Sequence, residues 1–160
     1  MNPHSQLIVD FYSAFQRRDA KAMNACYHPD VEFSDAVFVG LRHGGTTAMW
    51  SMLCERGKDL EVSFRDVHAD ERTGRVHWDA HYTFSTTGRK VLNRIDAAFE
   101  FRDGKIVRHR DHFDFWAWSR QALGPTGLVL GWTPFLQNKV RSQARRSLDK
   151  YIQERGLPTP

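Results

Sequence analysis

No stretch of this 160-residue chain approaches the roughly 18 consecutive apolar residues that a membrane-spanning helix needs. Cysteine is scarce. The only two, Cys26 and Cys54, have no metal-ligand spacing and cannot form a disulfide framework. Both fall in apolar helical pattern, so buried thiols in a reducing compartment are expected. There is no internal repeat and no low-complexity linker. The first ten residues lack the basic-then-apolar pattern of a secretory leader, and a cytoplasmic location is expected. Net charge is also lacking over most of the chain. The total is +4, and Pro134 to Arg155 alone carries six basic against two acidic residues, so everything before Pro134 is neutral overall. Four net charges form a weak electrostatic footprint, and neither a nucleic-acid nor a membrane partner is expected.

The chain does have rings. Aromatic residues make up 12% of it, with 11 Phe, 5 Trp and 4 Tyr, which suggests a core or cavity walled by aromatic side chains. Periodicity predicts an amphipathic helix over 5–18 and a short helix over 20–27. A strand follows over 31–35, then a third helix from Gly44 to about Glu55. The period then switches to two. Strands are predicted over 60–69, 75–85, 90–102 and 105–116, separated by turns at 70–74, 86–89 and Asp103-Gly104. Helices followed by an antiparallel meander give an α+β domain with the helices on one sheet face. That domain is expected over 1–123, with a basic helical extension over 124–160. In the extension Leu136, Val140, Ala144, Leu148 and Ile152 form one apolar stripe, which must dock on something.

Strand parity selects the side chains that share the covered face. Val76, Trp78, Ala80, Tyr82 and Phe84 belong to one set. Val91, Asn93, Ile95, Ala97, Phe99 and Phe101 form the next, and Val107, His109, Asp111, Phe113 and Phe115 the third. Only Asn93, His109, Asp111 and the Tyr82 hydroxyl interrupt this apolar face with polar groups. Burying an unpaired charge costs several kcal/mol or neutralises it. Either Asp111 and His109 satisfy each other, or they open into a ligand cavity that joins apolar walls to a few convergent polar groups. The opposite face carries mixed charges that ion pairing explains. His77 and His81, four residues apart on a strand, lie about 13 Å apart, too far to share one ion, and no metal is expected.

The runs Phe11-Tyr12-Ser13-Ala14-Phe15, Tyr27-His28-Pro29-Asp30-Val31-Glu32-Phe33-Ser34-Asp35 and Phe101 to Asp114 resemble SnoaL-like proteins and their ketosteroid-isomerase-like relatives. The resemblance covers about residues 5–118. It implies the nuclear-transport-factor-2-like (NTF2-like) cone, a curved antiparallel sheet closed by N-terminal helices around a small organic ligand, and usually a homodimer. His109-x-Asp111 is similar to the His-x-Asp pattern of polyketide cyclases, whose aspartate is the acid–base group. Arg110-Asp111-His112-Phe113-Asp114 resembles a run in limonene-epoxide hydrolases, but their second Arg-x-Asp has no arginine here, near His77 and Asp79. Asp35-Ala36-Val37 resembles the general-base run of ketosteroid isomerases. The oxyanion-hole Tyr of those enzymes aligns with Phe11, and their protonated Asp with Ala97, so their steroid chemistry is not expected.

The resulting expectation is a cofactor-independent acid–base enzyme acting on a small apolar oxygenated substrate. Asp111 is the expected base, supported by His109 and Asp35. Asn93 or Tyr82 would donate to a developing oxyanion. Trp78, Phe33, Trp50, Phe113, Tyr27 and Phe11 would wall the substrate. The alternative is a non-catalytic ligand-binding or dimerisation domain on the same fold.

Overall fold

A computed structural model describes residues 1–158. Asn2 starts the first helix, α1 (Pro3–Gln16), by accepting the Ser5 N–H, and Pro3 fits its first turn. Ile8, Phe11, Tyr12 and Phe15 recur on one side of it and are buried. A short α2 (Ala20–Asn24), capped by Asp19, leads into β1 (Tyr27–Ser34), which starts four residues before the predicted strand. Next comes α3 (His43–Arg56), whose inner side buries Met49, Trp50 and Met52.

The meander follows as β2 (Glu61–Ala69), β3 (Thr73–Phe84), β4 (Arg89–Arg102) and β5 (Lys105–His112). The sheet order is β1-β5-β4-β3-β2; consecutive meander strands pair antiparallel, and β1 pairs parallel with β5. Ladder irregularities in β1, in β2 beside Asp66 and in β5 bend the sheet, as bulges do. The result is an α+β fold with its helices on the concave face.

Two strand readings are corrected. Phe101 pairs with Ile106 and Glu100 with Arg108, so Val107 is the extra residue of a bulge. Ile106 is therefore buried in the core, where Val107 was expected, while His109 and Asp111 keep their predicted face. The predicted strand to Trp116 stops at His112. There Asp114 accepts the Ala117 N–H at 3.1 Å and caps a helix, α4 (Phe115–Leu123), that buries Phe115, Trp118 and Ala122. The apolar run after Gly124 folds as a short helix, α5 (Pro125–Leu130).

The backbones of α4 and α5 touch at Gly127, where a Cβ would overlap the Ser119 carbonyl. Gly127→Ala should therefore lower unfolding stability by about 1–3 kcal/mol in chemical denaturation, because the obstacle is backbone and cannot rotate away. A variant as stable as the wild type would mean that this contact is not maintained.

The last helix, α6 (Pro134–Arg155), starts at the Thr133 cap and ends at the left-handed Gly156. Its apolar stripe packs on the body of the fold, with Leu148, Tyr151 and Ile152 entering the main core cluster. Tyr151 donates to Glu55 at 2.9 Å, Arg155 pairs with the same carboxylate, and Arg141 donates to the Ala36 carbonyl at 2.8 Å. These bonds tie α6 to α3 and to the loop after β1. Both cysteines are buried thiols, and burial raises each to a pKa of about 11.

Candidate functional site

The concave face holds a cavity of about 580 Å³, within the range of small-molecule sites. Its depth is walled by Phe15, Trp50, Trp78, Ile95 and Phe113, and α6 roofs it with Leu136, Val140 and Ala144. Sequence periodicity showed that the stripe of α6 must dock. It could not show that the docking surface would be the mouth of a chamber. Among the polar side chains that line the chamber, Asp35 comes from the residue after β1, Tyr82 from β3 and Asn93 from β4.

Asn93 is 8% exposed, and among the described residues its side chain has no hydrogen-bond partner. Its amide is thus available to a ligand. Ala80 pairs with Asn93 and Tyr82 with Val91, which places Asn93 and Tyr82 one diagonal step apart on the same sheet face. Trp118 donates to the Tyr82 hydroxyl oxygen at 2.7 Å, leaving the hydroxyl hydrogen free for another acceptor. Burial raises the Tyr82 pKa, the Trp118 hydrogen bond opposes that rise, and the charge of Asp35 adds to it.

Asp35 brings a carboxyl group to this chamber. One of its oxygens accepts the Val37 and Phe38 N–H groups at 2.7 and 2.6 Å, in a turn that fixes the side chain. Removal from bulk water raises its pKa to about 7. The Phe38 hydrogen bond opposes this, the charge of Asp111 adds to it, and the Val37 hydrogen bond and Arg141 oppose it. Half-buried by its surroundings, it lines both the chamber and a smaller crevice beside it. A carboxylic acid with this proton affinity is half-protonated near neutral pH, where general acid–base groups work best.

Asp111 and His109 lie one layer deeper. Neither lines the large chamber, although Asp111 shares a crevice of about 190 Å³ with Asp35. His109 is fully buried and Asp111 is 4% exposed. Their hydrogen bonds run in one direction. Trp50 donates its indole N–H to the Tyr27 oxygen at 2.7 Å. An indole can only donate, so the Tyr27 oxygen accepts there, and with a neutral imidazole the Tyr27 hydroxyl donates to His109 Nδ1 at 2.8 Å. His109 Nε2 then carries the ring proton and donates to Asp111 Oδ1 at 3.0 Å, which also receives the Trp78 N–H at 3.4 Å. Burial, followed by the Asp111 charge, raises the Tyr27 pKa and keeps its hydroxyl protonated; the Trp50 hydrogen bond opposes the rise and Cys26 adds to it slightly.

The predicted site residues therefore fall in two layers. Asp35, Asn93, Tyr82, Trp78, Trp50 and Phe113 reach the chamber. Phe11, Phe33 and Tyr27 instead pack around the His109 ring, with centroids 5.7, 5.0 and 6.1 Å away. Sequence reasoning missed Phe15, Met49, Val37 and Trp118 in the chamber wall. Only helical spacing marked the first two, and it does not separate core from cavity. On the outer face His77 bridges Asp79 and Asp96 at 2.8 Å each, part of the mixed-sign pairing expected there. Among the described residues no three His, Cys, Asp or Glu side chains converge as a metal-ligand set, and no helix is long and apolar enough to cross a membrane.

A curved, unclosed sheet with helices across its concave side and an aromatic chamber between them defines the NTF2-like class of small α+β proteins. Within that class the chain belongs to the SnoaL-like domain family, whose profile matches residues 8–109. Solved structures share the fold. TerC, co-crystallised with polyporic acid, is 22% identical with a TM-score of 0.65, over 76% of this chain and 99% of that one. An epoxide hydrolase of M. tuberculosis, like limonene-epoxide hydrolase, is 21% identical with a TM-score of 0.63, over 80% and 96%. A protein described as a SnoaL-like polyketide cyclase from Jannaschia sp. CCS1 is 13% identical with a TM-score of 0.67, over 77% and 93%. No curated protein matches the sequence.

Proposed function

We propose that this protein is a cofactor-independent acid–base enzyme whose substrate is a small apolar, oxygenated molecule held in the aromatic chamber. The observation that carries this reading is Asp35, a carboxyl group with a pKa of about 7 on the chamber wall, which is also lined by the unpartnered Asn93 amide and the Tyr82 hydroxyl. Asp35 takes a proton from an activated carbon or a water, and Asn93 and Tyr82 donate to the oxyanion that develops. Asp111 acts at one remove. Held as a hydrogen-bond acceptor by His109 and Trp78, it presents a negative charge that raises the proton affinity of Asp35. The assignment of Asp111 as the base thus passes to Asp35, with His109 and Tyr27 as positioning residues. TerC, with its bound polyporic acid, supports the choice of an oxygenated ring compound as the ligand class. Pairing of two copies through the outer sheet face, which the resemblance implies, is compatible with this chemistry because the chamber lies on the concave face.

One observation favours a second reading. Asp111 is engaged by two donors and does not line the chamber, so the relay could serve the fold of a ligand-binding protein. A panel of two- and three-ring ketones, enones and epoxides separates the two. Saturable turnover, or α-proton exchange into deuterated water, that disappears in Asp35→Asn supports the enzyme. Tight binding across the panel with no conversion supports a carrier.

A further inference from the structure

The region of α5 and the start of α6 leaves large apolar side chains in the open. Trp132 is 74% exposed, Phe135 72%, Val129 62% and Leu128 55%, and Leu130 is also exposed. Five large apolar residues are exposed within eight positions, and such clusters of exposed apolar side chains mark interaction surfaces. The patch is built and held in place. The Trp132 indole donates to the Val129 carbonyl at 2.8 Å, Trp116 donates to the Leu128 carbonyl at 3.2 Å, and Gly131 and Gly127 seat α5 against α4.

Along the chain the charge near the patch has one sign, although Arg145 pairs with Asp149 and Arg141 is bonded to the Ala36 carbonyl. From Phe115 to Leu148 the chain has no Asp or Glu, and it has five basic residues: Arg120, Lys139, Arg141, Arg145 and Arg146. Arg120 lies over the Trp116 ring at 4.4 Å, and Lys139 follows Phe135 by one helical turn. Among the described residues neither Arg120 nor Lys139 is paired with a carboxylate. Lys139 also lines the chamber, as do Leu123, Thr126 and Leu136, which frame the patch from inside. The patch residues are thus interleaved along the chain with residues that line the chamber.

We propose that this patch docks on an anionic lipid surface, with Leu128, Val129, Trp132 and Phe135 entering the headgroup boundary and the basic side chains facing the lipid phosphates. Exposed aromatic and aliphatic side chains beside unpaired cations are what such a surface takes. A second copy of the chain fits less well. A two-fold contact would set each patch and its flanking cations against the same cations of the other copy. The absence of a spanning helix does not bear on this attachment, which lies on the membrane and does not cross it.

The test is co-sedimentation of the full chain with vesicles of phosphatidylcholine alone and of phosphatidylcholine containing phosphatidylglycerol, at low and high salt. The wild type is expected to pellet with the anionic vesicles, less so at high salt, and poorly with the neutral ones. Trp132→Ser combined with Phe135→Ser should lower partitioning by at least about tenfold, and Arg120→Gln should weaken it only on anionic vesicles. These changes are on outward-facing side chains, and circular dichroism checks that the fold is kept. Three results would overturn the proposal. One is a wild type that stays in the supernatant with anionic vesicles. Another is a double variant that partitions like the wild type. The third is self-association, in sedimentation velocity without lipid, that the double variant abolishes, because that assigns the patch to a second copy.

Discussion

Asp35→Asn is expected to reduce turnover of any substrate the chamber accepts by about 10²–10⁴-fold, the contribution of a positioned general acid–base group. The substitution is conservative in structure. An amide oxygen can still accept the Val37 and Phe38 N–H groups that the carboxylate now takes, so the turn after β1 is retained. Chemistry is lost and binding is kept, so the effect should fall on kcat and not on KM. The same variant should gain stability above neutral pH. In the folded protein Asp35 has a pKa of about 7 against an ordinary value of 3.8, so the folded state holds this proton more tightly than the unfolded chain. The stability this contributes is fully present below the unfolded pKa and is lost as pH rises through about 7. The amide of the variant does not titrate and escapes that loss, which is a few kcal/mol at most. A site that is more stable without its acid is the expected signature of function held at the expense of stability. If Asp35→Asn turned over substrate at the wild-type rate, the acid–base assignment would fail.

His109→Ala is expected to be the most destabilising single change in the relay. It removes the donor to Asp111 Oδ1 and the acceptor of the Tyr27 hydroxyl, and it empties space between Phe11, Phe33 and Phe99. Deleting a donor to a buried carboxylate together with a large buried ring costs about 3–5 kcal/mol, because the acceptor is left short of a hydrogen bond and a cavity remains. Tyr27→Phe should cost less, about 1–3 kcal/mol, since it orphans the Trp50 N–H and His109 Nδ1 but no charge. The two losses should not add in the double variant, because both act on one hydrogen-bonded chain. Urea denaturation measures all three. A His109→Ala loss below about 1 kcal/mol would mean that the chain of donors from Trp50 to Asp111 is not a structural unit.

Much of this arrangement was legible in the sequence. Alternation alone placed Trp78, Tyr82, Asn93, His109 and Asp111 on one face, and all five are on the concave side. What alternation cannot register is an inserted residue. Ile106 and Val107 are both apolar, so the bulge that turns Val107 outward leaves the pattern looking regular. The α4 start was available in principle: Asp114 precedes Phe115, Trp118 and Ala122 at helical spacing, and capping chemistry identifies such a start. The run Phe113-Asp114-Phe115 also alternates, however, and over three residues the two periods cannot be told apart.

Asp35 illustrates the deeper limit. Its residue type and its family-like context were visible, but its proton affinity depends on burial beneath α6 and on the charge of Asp111, 76 positions away in sequence. No local pattern encodes either. The reverse holds for Asp111. Its place on an apolar face suggested a group lining the chamber, whereas it lies a layer deeper, with an imidazole and an indole within hydrogen-bond distance of its Oδ1.

The most direct test of the account needs no substrate. Protein labelled with ¹³C at the aspartate carboxyls can be titrated by NMR and compared with Asp35→Asn and Asp111→Asn. The account predicts one aspartate titrating with a pKa of about 7, absent in Asp35→Asn and moved to lower pH in Asp111→Asn, where the neighbouring negative charge is gone. If every aspartate titrated below about 5, in the ordinary carboxylate range, Asp35 would not be an acid–base group at neutral pH, and the account would be contradicted.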